Sequence, residues 1–441
     1  MQKRTVEKYL NKIEKYLNTE KLREIQFKRL KRVLQYICKN SEYYRKRIDE
    51  AVKKIESFED FKKYIPLFTK EDHRLSQEES KEKYGHSLGM HLCVPSNKIK
   101  LLSATSGTTG EPTFYIFNDE DLKIWCEGRA RVYWRVGIRP GMKILIAFGF
   151  SMFVGGIPNV IASERYGLTV IPVGAEGGAE RILKFANLTK PDVLMCTPSL
   201  AEYLIQKSPQ ILGCSVDKLG IKILLCGGEP GAGIPEVKER IGKNFNAKLY
   251  DFQGSNISCD YPEYQGIHRC MDDYHFYELI NPDTKESIEL EDGARGEGVI
   301  TQLWKGAAPF IRYTAGDIHE VYTSPCPCGK TGIRYKIVGR VDDMLKVKGV
   351  IVYPAGIERV LSGFKDRITG EFRIVLNEPP PKVTPPLKIK IEVREQNLQN
   401  LENEIKDAMH KDLKFTPEII FVEEGKLKSQ KQKKEYFEKN Y

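Results

Sequence analysis

The segment SATSGTTGEPT, Ser103–Thr113, concentrates residue types that can bind an anion. Six of its eleven residues carry a hydroxyl group, and three are glycine or proline. A loop of this composition after the strand-like run Lys98–Leu102 presents N–H and O–H donors that can surround phosphate oxygens. The lysine–serine ending of a Walker loop is absent. A flexible surface loop is therefore the alternative interpretation of the composition alone.

Cysteine and histidine residues form a second group with chemical potential. Cys259 and His268 lie nine positions apart, and Cys326 and Cys328 form the pair in CPCG. Three thiolates and one imidazole make a closed tetrahedral zinc site, for which we expect a structural role. Cys270 is the alternative fourth ligand. Isolated free thiols are the alternative to a metal site.

The elements that must position these residues alternate along the chain. Short apolar runs predict buried strands, and helical patterns lie between them. The strands are predicted at Lys143–Phe148, Leu168–Val173, Asp192–Thr197 and Ile221–Cys226, and the helices at Val6–Ile48 with a break near Asn18, Ala179–Asn187 and Ser199–Lys207. Strand, helix and strand at this spacing indicate an α/β fold whose parallel sheet is covered on both faces.

The pattern changes twice in the second half of the chain. After about Glu278 the runs become shorter and β-rich, and after Gly339–Asp343 a smaller α+β pattern begins, with a strand predicted at Leu387–Val393. The sequence therefore predicts a large domain over residues 1–340 and a small one over residues 341–441.

Composition limits the classes of partner. The chain has 441 residues and a formal charge of +10, part of which lies in the lysine-rich segment Lys426–Lys439. This segment lacks interleaved aromatic residues, which favours a solvated surface over a nucleic-acid or membrane patch. Ile144–Ser163 is uncharged, but its central glycines and proline favour a strand, a loop and a helix start over a membrane span.

The compartment follows from two further features. The N-terminal segment has no apolar signal-peptide core. Ten cysteines in a chain of this kind are typical of free thiols or metal ligands rather than disulfides. We therefore expect a cytoplasmic protein without a nucleic-acid or membrane partner.

Five segments carry a resemblance to a known family, in the order in which that family has them. They are Tyr64–Arg74, Ser106–Thr113, Cys226–Gly231, Phe310–Asp317 and Ile337–Glu358. They resemble blocks of the phenylacetate-CoA ligase family, with the related coenzyme F390 synthetase-like proteins, in the adenylate-forming superfamily. The likeness extends along almost the whole chain. It implies a large N-terminal domain with parallel sheets and a β-rich subdomain, followed by a small mobile C-terminal α+β domain.

The resemblance implies a reaction in two halves. ATP activates a carboxylate to an acyl-adenylate, releasing pyrophosphate, and the thiol of coenzyme A then displaces AMP. Both halves require charge stabilisation on phosphates, with little covalent work by the protein.

The resemblance also implies which residues contact the nucleotide. The hydroxyl-rich loop would hold the β- and γ-phosphates, and Asp317 would accept hydrogen bonds from the ribose hydroxyls. Arg340 would contact the ribose or phosphate region, and Asp342 or Asp343 would be the hinge of the small domain. The implied nucleotide contacts are Ser106, Gly107, Thr108, Thr109, Gly110, Thr113, Gly228, Glu229, Gln253, Gly254, Asp317 and Arg340.

One segment departs from the family pattern. In YDFQGSNI, Gln253 stands where relatives have an aromatic residue that stacks on adenine, and Ile257 stands where they have a glutamate that coordinates Mg²⁺. Isoleucine cannot coordinate a hard cation. Three outcomes stay open: Asp260 or Glu263 replaces the glutamate, phosphates and water alone hold Mg²⁺, or adenylation is weak or lost.

Two further sites follow from the resemblance. A lysine near the C-terminus that reaches the α-phosphate corresponds to Lys431 or Lys433, although a run of lysines is also typical of a solvated face. The acyl pocket would be lined by Tyr133, Trp134, Phe148–Phe153, Thr197–Ser199 and Gly227–Glu229. An aromatic and flexible lining suits an aryl or other apolar acid, and core packing is the alternative role of these side chains.

The sequence thus predicts an ATP-dependent acid–thiol ligase for an aromatic or small apolar acid, with coenzyme A, Mg²⁺ and a structural Zn²⁺. A homodimer is expected from the resemblance alone. Two alternatives stay open: an adenylyltransferase that modifies a deazaflavin-like cofactor or loads a carrier protein, and a catalytically silent binding protein on the same scaffold.

Overall fold

The buried strands of the larger sheet place alternate side chains on opposite faces. In the strand Val193–Cys196, Leu194 packs in one apolar cluster, while Val193 and Met195 pack in another. Helices cover both faces because a parallel sheet has no face that can be left to water. The computed structural model behind this description covers residues 10–16, 19–104, 112–229, 231–347, 350–394, 398–427 and 435–441.

The chain divides into two compact units. The larger consists of Met1–Ala315 with Val321–Lys336, and the smaller of Gly316–Glu320 with Ile337–Tyr441. The domain border expected at residue 340 stays a prediction.

Helices occur in both units. The larger unit contains α1 (Glu20–Asn40), α2 (Glu42–Val52), α3 (Phe58–Tyr64), α4 (Lys70–Tyr84), α5 (Asp119–Arg135), α6 (Ile157–Tyr166), α7 (Gly178–Thr189), α8 (Pro198–Leu212) and α9 (Pro235–Phe245), and the smaller contains α10 (Pro354–Ser362) and α11 (Leu398–Leu413). Short 3-10 helices span Lys12–Tyr16, Ser96–Lys98, Ala175–Gly177, Val216–Leu219 and Val341–Asp343.

Strands make up the rest of the regular structure. Up to residue 340 they are β1 (Phe68–Thr69), β2 (Leu101–Ala104), β3 (Phe114–Phe117), β4 (Lys143–Ile146), β5 (Thr169–Pro172), β6 (Val193–Cys196), β7 (Ile223–Cys226), β8 (Lys248–Gln253), β9 (Asn256–Ser258), β10 (Ile267–Arg269), β11 (His275–Ile280), β12 (Ser287–Ile288), β13 (Arg295–Gln302), β14 (Tyr313–Tyr322) and β15 (Arg334–Arg340). Beyond it lie β16 (Leu345–Val347), β17 (Val350–Val352), β18 (Ile368–Leu376), β19 (Lys382–Val383), β20 (Lys388–Val393), β21 (Glu418–Glu423) and β22 (Phe437–Lys439).

The largest sheet has thirteen strands and changes character along its width. Its order is β12-β11-β13-β14-β15-β10-β9-β8-β7-β6-β4-β5, and β1 pairs with β14. The strands β5, β4, β6, β7 and β8 are parallel, whereas β8, β9, β10 and β15 pair antiparallel. The predicted α/β class, with parallel strands beside a β-rich region, is confirmed.

The smaller unit has a core of its own. Its four-stranded sheet has the order β21-β20-β18-β22, and β17-β16-β19 form a second sheet. Apolar side chains of α10 and α11, such as Ile357 and Ile405, pack against strand residues such as Ile374 in one buried cluster. This is the smaller α+β pattern that the sequence predicts.

The N-terminal helical prediction needs one correction. The continuous pattern up to Ile48 is divided at Ser41, where α1 ends and α2 begins. Ser41 has an extended backbone, and its hydroxyl accepts a hydrogen bond from the Tyr44 N–H, so it caps α2. The predicted break near Asn18 lies outside the described residues.

The uncharged run Ile144–Ser163 contains the strand β4, a glycine-rich loop and the first part of α6, as predicted. Across the described ranges, the chain has no helix whose length and apolar character would suffice to cross a bilayer.

Candidate functional site

Three neighbouring parallel strands end at the same edge of the large sheet. Cys196 of β6, Cys226 of β7 and Asp251 of β8 lie in register. The end of β8 therefore meets the segments that follow β6 and β7 at one edge of the sheet, which we term the carboxyl edge. These two segments are Thr197–Ser199 and Gly227–Glu229. In sheets of this kind, ligands bind at this edge.

Backbone geometry at the carboxyl edge requires glycine. A Cβ atom at Gly227 would lie 1.9 Å from the Phe252 carbonyl oxygen, and Gly228 has φ of 87°. The side chain of Glu229 reaches the neighbouring strand end, where its Oε1 accepts a hydrogen bond of 2.7 Å from the Ser199 N–H. The edge is thus lined by backbone as well as by side chains.

Gln253 and Gly254 lie at the end of β8, where side chains remote in sequence hold them. The Tyr335 hydroxyl donates a 2.6 Å hydrogen bond to Gln253 Oε1 and accepts one of 3.3 Å from Asn256 Nδ2. The Gly254 carbonyl accepts a hydrogen bond from Arg129 Nη1. Sequence reasoning missed Tyr335 and Arg129, because no motif marks either residue.

An aromatic loop, Phe148–Phe153, lies beside this edge. A Cβ atom built on Gly228 would be 3.8 Å from the Phe148 ring and 3.8 Å from Thr197 Cγ2. Glu176 Oε1 orders the loop by accepting hydrogen bonds from the Phe150 N–H at 2.8 Å, the Ser151 N–H at 3.1 Å and the Ser151 hydroxyl at 2.9 Å. A fixed loop with partly exposed aromatic side chains can receive an apolar group.

The other predicted pocket residues separate into two environments. Tyr133 is buried in the apolar cluster against which Phe148 packs, and its hydroxyl pairs with Ser163 Oγ at 2.8 Å. Trp134 instead stacks under the guanidinium of Arg139, whose Cζ is 3.8 Å from the ring centre. A pocket role for these two residues stays a prediction.

The ends of the hydroxyl-rich loop are fixed by β2 and β3, which form a hairpin. Gln77 of α4 donates to the Pro112 carbonyl at 3.1 Å and accepts from the Phe114 N–H at 2.7 Å. The Ala104 N–H donates to the Met152 carbonyl at 2.7 Å, which places the start of the loop beside the aromatic loop. Thr113 is buried. The predicted phosphate contacts Ser106, Gly107, Thr108, Thr109 and Gly110 lie outside the described residues.

In the smaller unit, the structure brings Asp317 and Arg340 together. Arg340 Nη1 donates to Asp317 Oδ1 at 2.5 Å, and Nη2 lies 3.5 Å from Asp342 Oδ2. Burial raises the pKa of Asp343. The predicted lysines Lys431 and Lys433 lie outside the described residues, but the preceding Leu427 is held by Glu392, which accepts from its N–H at 2.9 Å.

The three alternatives for Mg²⁺ stay predictions, and they involve residues in different environments. Ile257 is 1% exposed and packs in the cluster that contains Tyr133. Asp260 is shared between Lys248 at 3.5 Å and Lys330 at 3.6 Å, and Glu263 is exposed. The side chain at position 257 therefore belongs to the core.

The thiol–imidazole cluster consists of Cys259, His268, Cys326 and Cys328, whose ligand atoms all lie within 4.8 Å of one another. Cys259 Sγ is 3.9 Å from Cys326 Sγ, and Cys328 Sγ is 3.6 Å from His268 Nε2. His268 Nδ1 is 3.3 Å from the carbonyl oxygen of Thr331, which leaves Nε2 directed at the thiols.

Electrostatics favour a thiolate in this cluster. The hydrogen bond with Cys259 and then the interaction with His268 lower the pKa of Cys328 against the effect of burial, and the same coupling raises the pKa of Cys259. Cys270 lies apart from the cluster in the apolar core, and its thiol donates to the His268 carbonyl at 3.4 Å. The structure therefore assembles the predicted ligand set without the alternative ligand, whereas zinc binding itself stays a prediction.

Comparison with known proteins places the chain in a family. It is 32% identical over 409 residues to a phenylacetate-coenzyme A ligase of Thermus thermophilus, covering 90% of this chain and 88% of that protein. The chain belongs to the phenylacetate-CoA ligase family. A phenylacetate-coenzyme A ligase of Escherichia coli is 28% identical over 388 residues, covering 86% of this chain and 84% of its own.

Two further comparisons agree with the family and with the adenylate-forming fold. Residues 349–438 match the family described as the AMP-binding enzyme C-terminal domain. A crystal structure of 2-hydroxyisobutyryl-CoA ligase in the postadenylation state, in complex with 2-HIB-AMP, has a TM-score of 0.83 and 27% identity, covering 96% of this chain and 90% of its own. The resemblance drawn from five sequence segments is thus confirmed.

Proposed function

We propose that this member of the phenylacetate-CoA ligase family activates an aromatic or small apolar carboxylic acid with ATP and transfers the acyl group to coenzyme A. The carboxylate oxygen attacks the α-phosphorus of ATP, and pyrophosphate leaves. The sulfur of coenzyme A then attacks the acyl carbon of the adenylate, and AMP leaves. Family relatives named as phenylacetate and 2-hydroxyisobutyryl-CoA ligases support this AMP-forming reaction.

The observation that carries the proposal is the meeting of the Gly227–Glu229 segment with the aromatic loop at the carboxyl edge. A Cβ atom built on Gly228 would lie 3.8 Å from Phe148 and 3.8 Å from Thr197, so the Gly228 backbone lies beside an apolar surface. Chemistry between an acid and a phosphate needs this combination, because the apolar body must be held while charge is stabilised next to it.

The protein's own groups have positioning and electrostatic roles. We assign the phosphates to the loop Ser106–Gly110 and to Thr113, and the ribose hydroxyls to the Asp317 carboxylate, whose orientation the Arg340 guanidinium fixes. Lys431 or Lys433 would supply the cation that approaches the α-phosphate. Fixed donors and charges of this kind lower the barrier without reorganising during the reaction.

Magnesium and zinc have different places in the proposal. Mg²⁺ bound to the nucleotide would neutralise phosphate charge, and we propose that phosphates and water would supply its ligands, because Ile257, at the position where the resemblance implies a glutamate, is a core residue. Zn²⁺ fits the donor set of the thiol–imidazole cluster, in which it would join β9 and β10 to the turn at Cys326–Cys328.

We also propose a cellular compartment for the protein. All ten cysteines lie in the described ranges and none forms a disulfide there, which supports a reducing compartment, and we place the protein in the cytoplasm. A homodimer without nucleic-acid or membrane partners stays the expectation.

The test is ATP–pyrophosphate exchange across a panel of aryl and short aliphatic acids with Mg²⁺. We expect acid-dependent exchange that the double variant Ser106→Ala, Asp317→Ala loses. The double variant Ser287→Ala, Asp366→Ala is the control, because it changes the same residue types at exposed positions outside the predicted contacts.

Two outcomes favour the other functions. Exchange without any coenzyme A-dependent product would favour adenylyl transfer or loading of a carrier protein. The absence of exchange with every acid, together with no ATP binding, would contradict the proposal and favour a silent binding protein.

A further inference from the structure

Arg129 of α5 is a buried cation with no carboxylate partner in the described part of the chain. The residue is 2% exposed, and its guanidinium lies between the rings of Trp125 and Phe252, at 4.1 and 4.7 Å from their centres. Arg131, two positions further along α5, is equally buried but forms hydrogen bonds of 2.7 and 3.1 Å to Asp273. The two arginines therefore need different explanations.

The hydrogen bonds of Arg129 join two segments of the proposed site. Its Nη1 donates to the Gly254 carbonyl at the end of β8, and its Nε donates to Asn159 Oδ1 at 2.5 Å. Asn159 is fully buried, and its Nδ2 donates to the Gly155 carbonyl at 2.7 Å. Gly155 follows the aromatic loop Phe148–Phe153. A continuous chain of three hydrogen bonds thus runs from Gly254 to the end of the aromatic loop.

Stability alone does not account for this arrangement. Burial lowers the pKa of Arg129 to about 10, so the side chain remains a cation at neutral pH while losing its hydration. A buried charge without an ionic partner costs free energy, because no opposite charge offsets its desolvation. A charged planar donor does, however, fix two acceptors at a set spacing more firmly than a neutral donor.

We propose that Arg129 and Asn159 are positioning residues that set the distance between the nucleotide segment Gln253–Gly254 and the loop that receives the acid. Neither residue needs to contact substrate. The proposal deepens the proposed function and rests on it for the identity of the two ligands. The proposal implies that the affinities for ATP and for the acid depend on one link, the chain of hydrogen bonds through Arg129 and Asn159.

The first test is the kinetics of acid-dependent pyrophosphate exchange in Arg129→Met, Asn159→Leu and the double variant. Methionine keeps an apolar stem between the two rings and removes the donors. We expect each single variant to raise the KM for ATP and for the acid about tenfold, the effect of losing one charge-assisted hydrogen bond. The double variant should have the same KM values as either single variant, because each single substitution already interrupts the chain of hydrogen bonds.

Two further variants separate positioning from folding. Arg129→Lys keeps the charge but cannot span both acceptors, so it should not restore the KM values. Arg131→Met is the matched control on the same helix, for which we expect a lower free energy of unfolding with unchanged KM values. The proposal is contradicted if Arg129→Met lowers the free energy of unfolding without raising either KM. It is also contradicted if the KM effects of the two single variants add in the double variant.

Hydrogen exchange of the unliganded protein tests the link independently of the reaction. Asn159→Leu should speed amide exchange in the peptide that contains Gln253 and Gly254, with which Asn159 shares no hydrogen bond among the described residues. Unchanged exchange there would overturn the link even if the ligase activity is present. Faster exchange in a protein without acid-dependent activity would uphold the link and contradict only the proposed function.

Discussion

The thiol–imidazole cluster and the carboxyl edge lie in the same unit, but they are built in opposite ways. In the cluster, four side chains converge to within 4.8 Å, and each faces the others. At the edge, glycine-rich segments follow the ends of parallel strands, and Gly228 leaves space in front of Phe148. A site whose ligands are all protein atoms serves the fold, whereas a site that leaves positions open can admit a substrate.

Removal of metal from the thiol–imidazole cluster should have the largest effect on stability, and it tests this contrast directly. We expect chelation, or Cys326→Ser, to lower the free energy of unfolding by at least about 5 kcal/mol, because metal binding energy becomes folding energy. The measurement is denaturant unfolding combined with the metal content of the purified protein. Cys270→Ser is the control and should retain the metal, since Cys270 lies outside the cluster.

If the purified protein contains no zinc and chelators do not change its free energy of unfolding, the cluster is not a metal site, and its contrast with the carboxyl edge is contradicted. The three cysteines would then be free thiols beside a histidine.

The next effect concerns two adjacent glycines at the carboxyl edge. Gly227→Ala places a Cβ atom 1.9 Å from the Phe252 carbonyl oxygen, so β7 and β8 must shift, and we expect a loss of about 3 kcal/mol in unfolding free energy with loss of exchange activity. Gly228→Ala meets nothing closer than 3.8 Å, and its cost is the strain of its positive φ, about 1 kcal/mol. Equal losses in the two variants, measured by chemical denaturation, would contradict the geometry.

Asp251 lies on β8 at the carboxyl edge and gives a pH-dependent effect. Burial raises the pKa of its carboxyl to about 6, although Tyr264 donates a 2.6 Å hydrogen bond to it. The folded state therefore holds the proton more tightly than the unfolded chain does. Its stabilising contribution is complete below about pH 4 and is lost as the pH rises through about 6.

Asp251→Asn should remove that part of the pH dependence. We expect the variant to be more stable than the wild type above pH 6 by about 2 kcal/mol, and to differ little from it near pH 4. Unfolding free energies measured from pH 4 to pH 8 test this. Parallel curves for the two proteins would show that the carboxyl of Asp251 titrates as it does in water.

The smallest effect concerns Glu176, which accepts three hydrogen bonds from the aromatic loop. Glu176→Gln keeps an acceptor but removes the charge, so we expect about a threefold rise in the KM for the acid, with unchanged stability. Glu180→Gln is the matched control, because Glu180 is exposed and pairs only with Lys184 at 2.6 Å in the described part of the chain. A rise in both variants would point to general electrostatics instead of loop order.

The two regions also differ in how far the sequence could predict them. The cluster was predicted because cysteine and histidine are rare and chemically specific, so four residues could be named from type and spacing. The carboxyl edge was predicted only as segments, because glycine and hydroxyl residues serve many loops. Tyr335, which holds Gln253, and Arg129, which holds Gly254, carry no local signal.

The sequence by itself determined the α/β class, the buried parallel strands and the family, because apolar periodicity and ordered motifs are local properties of the chain. The tertiary structure alone decided that Ile257 enters the core, that Cys270 stays apart from the other thiols and that Arg129 links Gly254 to Asn159. These outcomes depend on contacts between residues far apart in the chain, such as α5 against the end of β8. Packing settles such contacts, because each buried polar group must find its partner wherever the fold has placed one.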